Sequence, residues 1–261
     1  MLNGKSIVVT GSTRGIGKVV AIELASLGAH VAVVGRNRER GEKVIAEIEG
    51  AGGTAVLFPC DLSIEEEVAR LFDDVVARFG ALHGVVNNAA ATDIVSRDKP
   101  IAEQSTEDFD LFMKANVYSV FWCFKYGIRA MLPAGGSFVT MSSVESITPR
   151  GGEPSYSTAK GAVSALSRQV AVDYGVQGIR ANTLVLGFIE TNASRSLLAD
   201  ARIGPIVRGV TGGAPPTSLD VARATAFLLS DDARGFNAAT ITLDRGMTAT
   251  GHVPSDLGIS T

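Results

Sequence analysis

Short apolar runs recur along the chain, separated by longer stretches in which apolar and polar residues follow a helical period. The runs are SIVVT (6–10), VAVVG (31–35), AVLFPC (55–60), GVVNN (84–88), SFVTMS (137–142), RANTLV (180–185) and TITLD (240–244). They are continuous rather than alternating, the pattern of strands covered on both faces of a parallel sheet. Between them, GKVVAIELASLG (17–28), ERGEKVIAEIEGAG (39–52), EEEVARLFDDVVARFG (65–80) and DVARATAFLLSDD (220–232) read as amphipathic helices. Alternating strand and helix with short connections predicts βα units and one doubly wound α/β domain of about seven strands, with helices on both faces.

Two helical stretches break the one-apolar-face rule. VYSVFWCFKYGI (117–128) is apolar nearly all round, and GAVSALSRQVAVDYG (161–175) is rich in small residues. A helix this apolar needs a second surface to cover it, either deep core or a subunit interface.

Composition narrows the function classes. The 261 residues are 46% hydrophobic and include 29 glycines, enough for a sizeable core with many tight turns. Twenty-four basic against 27 acidic residues leave a net charge of −3, which gives no electrostatic grip on nucleic acid. The first apolar run is too short for a signal-peptide core or a spanning helix. Cys60 and Cys123 lack CxxC spacing and fit buried, reduced thiols of a cytoplasmic protein. His30, His83 and His252 form no ligand-spaced cluster, so no protein metal site is expected.

The first strand runs directly into VVTGSTRGIG, and Gly11, Gly15 and Gly17 allow a tight turn and close approach of a ligand. Free N–H groups at the following helix start would then face anionic oxygens. At the end of the second strand, where an acid would bind the ribose hydroxyls of NAD, stands Gly35, followed by Arg36; Arg14 adds a second cation in the loop. Guanidinium groups hold a ribose phosphate that a carboxylate would repel, so the residues predict NADP(H).

In PSYSTAK (154–160), Tyr156 and Lys160 stand four positions apart, on one face of a helix. Together with the glycine loop, NNAA (87–90), Asn116 and MSSV (141–144), they make the chain resemble the short-chain dehydrogenase/reductase family from about residue 4 to residue 250. The resemblance implies a Rossmann-type fold and a catalytic tetrad. Ser143, thirteen residues before the tyrosine, is the active serine, Tyr156 the acid or base, Lys160 its partner and Asn116 the holder of a relay water. It also implies cofactor contacts at Gly11, Ser12, Thr13, Arg14, Gly15, Ile16, Gly17, Arg36, Asn37, Asp61, Leu62, Asn88, Ile189 and Thr191, besides Tyr156 and Lys160. A homotetramer, or a homodimer, is implied as well.

Free tyrosine and lysine titrate near about 10 and 10.4. A neighbouring ammonium favours phenolate, so Lys160 is expected to lower the Tyr156 pKa toward the working range. Three positions depart from the family's pattern: Ala90 for a glycine, Leu186 for a proline and Arg245 for a glycine. Segments 91–105 and 192–216 are expected to shape an apolar substrate cleft, with Arg195, Arg202 and Arg208 facing water. The expected activity is interconversion of a small or medium hydrophobic ketone with its secondary alcohol. The alternatives are a 3-oxoacyl-(acyl-carrier-protein) or -CoA reductase, with Arg129 and Arg168 as carrier contacts, and a non-catalytic NADP-binding sensor.

Overall fold

The computed structural model describes residues 1–132 and 134–249; the tail, in which the sequence carries no readable signal, lies outside the described residues. Seven parallel strands form one sheet in the order β3-β2-β1-β4-β5-β6-β7. They are β1 (Ser6–Thr10), β2 (His30–Gly35), β3 (Thr54–Pro59), β4 (Gly84–Asn87), β5 (Gly136–Ser143), β6 (Ile179–Leu186) and β7 (Thr240–Leu243). The helices are α1 (Gly15–Ser26), α2 (Arg38–Gly50), α3 (Glu65–Phe79), α4 (Thr106–Met113), α5 (Ser119–Met131), α6 (Pro154–Tyr174), α7 (Arg195–Ala199), α8 (Ile203–Val210) and α9 (Ser218–Leu229).

The continuous apolar runs have the reason the sequence suggested. Along β1, Ile7 and Val9 point into one core layer and Val8 into the other. In β2, Val31 and Val33 oppose Ala32 and Val34 in the same way. Neither face meets water, and each fully buried valine or isoleucine contributes about 1.5–3 kcal/mol. One layer holds α1, α2 and α9, and the other α3, α5 and α6. Cys60 and Cys123 are free thiols buried in the second layer. Among the described residues no helix is long and apolar enough to cross a membrane.

The all-apolar stretch is only partly core. Trp122, Cys123, Phe124 and Ile128 are core, whereas Tyr118 and Phe121 are 51% and 44% exposed. The helical pattern at 161–175 extends back to Pro154, whose missing N–H costs nothing at a first helical position. This extension puts Tyr156 in the first turn of α6. Segment 192–216, a cleft segment in the sequence, contains the short helices α7 and α8.

Candidate active site

The strand order reverses between β1 and β4, and the crevice at the carboxyl ends of these strands is where a doubly wound sheet binds its ligand. The β1–α1 loop lies there. Gly11 has a φ of +64°, in the left-handed region. A Cβ on Gly17 would lie 2.4 Å from Asn88 Nδ2 and 2.5 Å from the Gly11 carbonyl oxygen. That closeness is productive, because Asn88 Nδ2 donates to the carbonyls of Thr10 (2.8 Å) and Gly11 (3.3 Å), joining the loop to the end of β4. No side chain caps α1 and no acid occupies its first turn, so the donors at its start are left for an anion. These features fit the pyrophosphate of a dinucleotide.

Ser12 is fully buried, its hydroxyl donates to Val9 O and accepts from Val34 N–H, and its own N–H donates to Val34 O. These bonds shape the loop from its core side. Thr13 stands against the end of β2, where a Cβ on Gly35 would meet its methyl at 2.7 Å. Ile16 packs on the first core layer, and Arg14 and Gly15 are exposed.

On the adenosine side, Arg36 is exposed and its Nη1 lies 3.8 Å from Asp61 Oδ2. Burial pushes the Asp61 carboxyl up, but the Ser63 N–H and hydroxyl and the Arg36 charge outweigh it, leaving the pKa below the ordinary value. Asn37 caps α2, its side chain accepting from Arg40 N–H at 2.8 Å, and Leu62 packs on the second core layer. At the other end, Ile189 is buried, and Thr191 N–H donates to Ser194 Oγ at 2.8 Å. Ser194 in turn donates to Ile189 O, so it closes this turn. No motif or spacing marks Ser194 in advance.

The four proposed catalytic residues come from three elements. Ser142 and Ser143 end β5 and point to opposite faces. The Ser142 hydroxyl donates to Lys160 O at 2.9 Å and accepts from Ser164, stitching β5 to α6. Ser143 faces the crevice beside Tyr156, and its hydroxyl accepts from Glu145 N–H at 3.2 Å. Asn116 lies buried in a π-turn, Lys114–Tyr118, a distortion common at functional sites. It accepts from Ala91 N–H at 3.0 Å and donates to Phe112 O. Lys160 is buried; its Nζ donates to Met141 O at 3.1 Å and lies 5.8 Å from the centre of the Tyr156 ring.

The electrostatics run against the expectation that Lys160 lowers the Tyr156 pKa. Burial raises the phenol; the Ser143 hydroxyl opposes it, Glu145 and Glu153 add to it, and Arg150 subtracts, leaving the pKa above its usual value. Burial also pushes Lys160 down, to about 8. Desolvation disfavours the charged form of each group, and with Nζ directed at Met141 O it outweighs their attraction. Sequence reasoning also missed Glu145, which is buried and holds Arg150 through Oε1 to Nε and Oε2 to N–H, both at 2.7 Å. Neither spacing nor periodicity marks that pair.

Of the departures, Ala90 lacks a positive φ, so its methyl is accommodated, whereas Arg245 sits at φ +53°, where glycine would be unstrained. Of the three arginines in 192–216, Arg195 is exposed and pairs loosely with Glu190, and Arg202 and Arg208 are exposed.

A family model described as "Enoyl-(Acyl carrier protein) reductase" matches residues 11–248. The chain belongs to the short-chain dehydrogenase/reductase family. Short-chain dehydrogenases similar to it include the 2,5-dichloro-2,5-cyclohexadiene-1,4-diol dehydrogenase of Sphingobium indicum, 40% identical over 95% of this chain and 98% of that one. The 3-oxoacyl-(acyl-carrier-protein) reductase of Escherichia coli is 32% identical over 94% and 97%. A solved short-chain dehydrogenase/reductase from Mycobacterium ulcerans superposes with a TM-score of 0.89 at 31% identity, covering 95% of this chain and 91% of that one. A 7α-hydroxysteroid dehydrogenase solved with NADH and 7-oxo glycochenodeoxycholic acid gives 0.85 at 30%, covering 94% of each chain. A gluconate 5-dehydrogenase from Burkholderia cenocepacia, solved with NADP and tartrate, gives 0.87 at 30%, covering 95% and 96%. As a short-chain dehydrogenase/reductase, the protein is an oxidoreductase acting on alcohol and carbonyl groups with a nicotinamide cofactor.

Proposed function

We propose that the protein is an NADP(H)-dependent carbonyl reductase, or secondary-alcohol dehydrogenase, acting on a small to medium hydrophobic ketone with Tyr156 as proton donor. The observation that carries this is the convergence of Ser143, Tyr156 and buried Lys160 at the crevice, with Lys160 Nζ 5.8 Å from the centre of the Tyr156 ring and burial holding the phenol above its ordinary pKa. Nicotinamide supplies or accepts the hydride when bound. Ser143 holds the carbonyl oxygen and stabilises its developing charge. Tyr156 gives that oxygen its proton, and a phenol that stays protonated at neutral pH is the form reduction consumes. Lys160, still largely charged at pH 7, restores the proton and holds the ribose. Asn116 fixes the loop at Ala91 and supports a relay water.

For the second phosphate, the reading rests on Arg14 and Arg36, both exposed beside the loop, and on Gly35, whose missing side chain leaves no carboxylate there. One charge-assisted contact is worth about 1.5–3 kcal/mol. The expected kcat/KM with NADPH therefore exceeds that with NADH by about 10–100-fold. A clear NADH preference overturns the NADP assignment.

The cyclic diol named for the relative from Sphingobium indicum, and the aliphatic surface of Leu197 and Ile203 in segment 192–216, support an apolar substrate. A 3-oxoacyl thioester reductase is the second reading, supported by the relative from Escherichia coli and by the exposed Arg129, which stacks on Tyr126. Assaying cyclic and aryl ketones against an acetoacetyl thioester separates them. Cofactor binding without turnover on any of these would point to the sensor. The exposed Tyr118 and Phe121 support burial of this face in a cytoplasmic homotetramer or homodimer, and a monomer in light scattering would remove that assignment.

A further inference from the structure

The first turn of α6 carries Tyr156, and a helix start leaves backbone donors to be satisfied. Glu153 stands at the capping position, but its side chain makes no cap bond. Pro154 has no N–H. The next two donors go to a residue more than fifty positions earlier: Asp98 Oδ1 accepts from Ser155 N–H at 3.2 Å and Oδ2 from Tyr156 N–H at 3.0 Å. Ser157 N–H returns to Glu153 O at 3.1 Å. One carboxylate from segment 91–105 thus completes the turn that holds the proposed proton donor.

Asp98 is itself held from both sides. Arg97 Nη2 pairs with Asp108 Oδ1 at 2.5 Å, fixing the loop to α4, and Lys99 N–H donates to Gln104 Oε1 at 2.8 Å. Its negative charge also lies where the helix dipole favours an anion. We propose that Asp98 is a positioning residue for Tyr156, the link by which the cleft loop sets the place of the phenol. The inference rests on Tyr156 being the proton donor. An acid–base group must stand within hydrogen-bond reach of the atom it serves, and displacement by about 1 Å can cost 10²-fold. Without the carboxylate, two donors at the first turn lose their partner, and the backbone that carries Tyr156 loses its tie to the cleft loop.

The test compares Asp98→Ala and Asp98→Asn with the wild-type enzyme, Tyr156→Phe, and Val44→Ala as a buried variant on α2 remote from the crevice. Asp98→Ala should lower kcat at saturating ketone and NADPH by about 10–100-fold. Asn, keeping one acceptor, should fall between Asp and Ala. The Kd for NADPH should stay within about twofold, and amide exchange in a peptide spanning 153–160 should quicken. Val44→Ala should lower the melting temperature yet keep kcat. The inference is overturned by wild-type kcat in Asp98→Ala, by cofactor affinity falling in step with kcat, or by an equal kcat loss in Val44→Ala at matched melting temperature. If Asp98→Ala does not fold, Asp98→Asn must show the same split between kcat and Kd. A dead Tyr156→Phe beside wild-type Asp98 variants sinks only the positioning role; an active Tyr156→Phe sinks both it and the proton-donor reading.

Discussion

Tyr156→Phe lowers kcat for ketone reduction by about 10²–10⁴-fold, the range for loss of a general acid, while NADPH affinity changes little. Only the hydroxyl is removed, and the ring keeps its packing. No neighbour can take over. Ser143 is a far weaker acid, and Lys160 Nζ is directed at Met141 O, 5.8 Å from the ring centre. Steady-state turnover and a fluorescence titration of NADPH read the two quantities separately. Residual activity above about a tenth of wild type would remove Tyr156 from the proton-donor role.

The inner strands of the sheet were legible because they are covered on both faces. Ile7, Val8 and Val9 are all buried, so β1 reads as an unbroken apolar run. The end of β5 was harder. Ser142 and Ser143 are chemically identical in sequence, and only the pleat, which turns Ser142 toward α6 and Ser143 toward the crevice, gives them different work. The family resemblance supplied that choice; composition could not. Asp98 was invisible because its partners are backbone N–H groups in another element, and a bond to backbone leaves no residue-type signature. The pairing of buried Glu145 with exposed Arg150 escaped for a related reason, since the partners are five positions apart in a loop without a period.

The pKa shifts show a different failure. Sequence spacing correctly put Lys160 one turn from Tyr156 but carried no information on burial, and burial decides the sign for both groups. An enzyme site that keeps a lysine in this condition gives up stability for function, and Lys160→Met exposes the exchange. The variant should lose at least about 10²-fold in turnover and bind NADPH more weakly, because the ammonium serves both. Without ligand it should nevertheless be more stable than wild type at pH 7. Lys160 falls from its ordinary 10.5 to about 8 in the fold, which corresponds to roughly 3 kcal/mol of burial cost at neutral pH. Loss of the bond to Met141 O offsets about 1 kcal/mol, leaving about 2 kcal/mol and a rise in Tm of about 4–8 °C. The sign has a pH signature. Between about 8 and 10.5 the unfolded chain keeps the proton that the folded one has lost, so raising the pH stabilises wild type relative to the variant. The gap in Tm should therefore be full below pH 8 and close toward pH 10.5, while wild-type kcat/KM for reduction falls above about pH 8 as the lysine discharges. Paired melts of the two ligand-free proteins across this range decide it: a variant that melts below wild type at pH 7 would mean that the lysine stabilises its own burial, and that the site carries no stored cost.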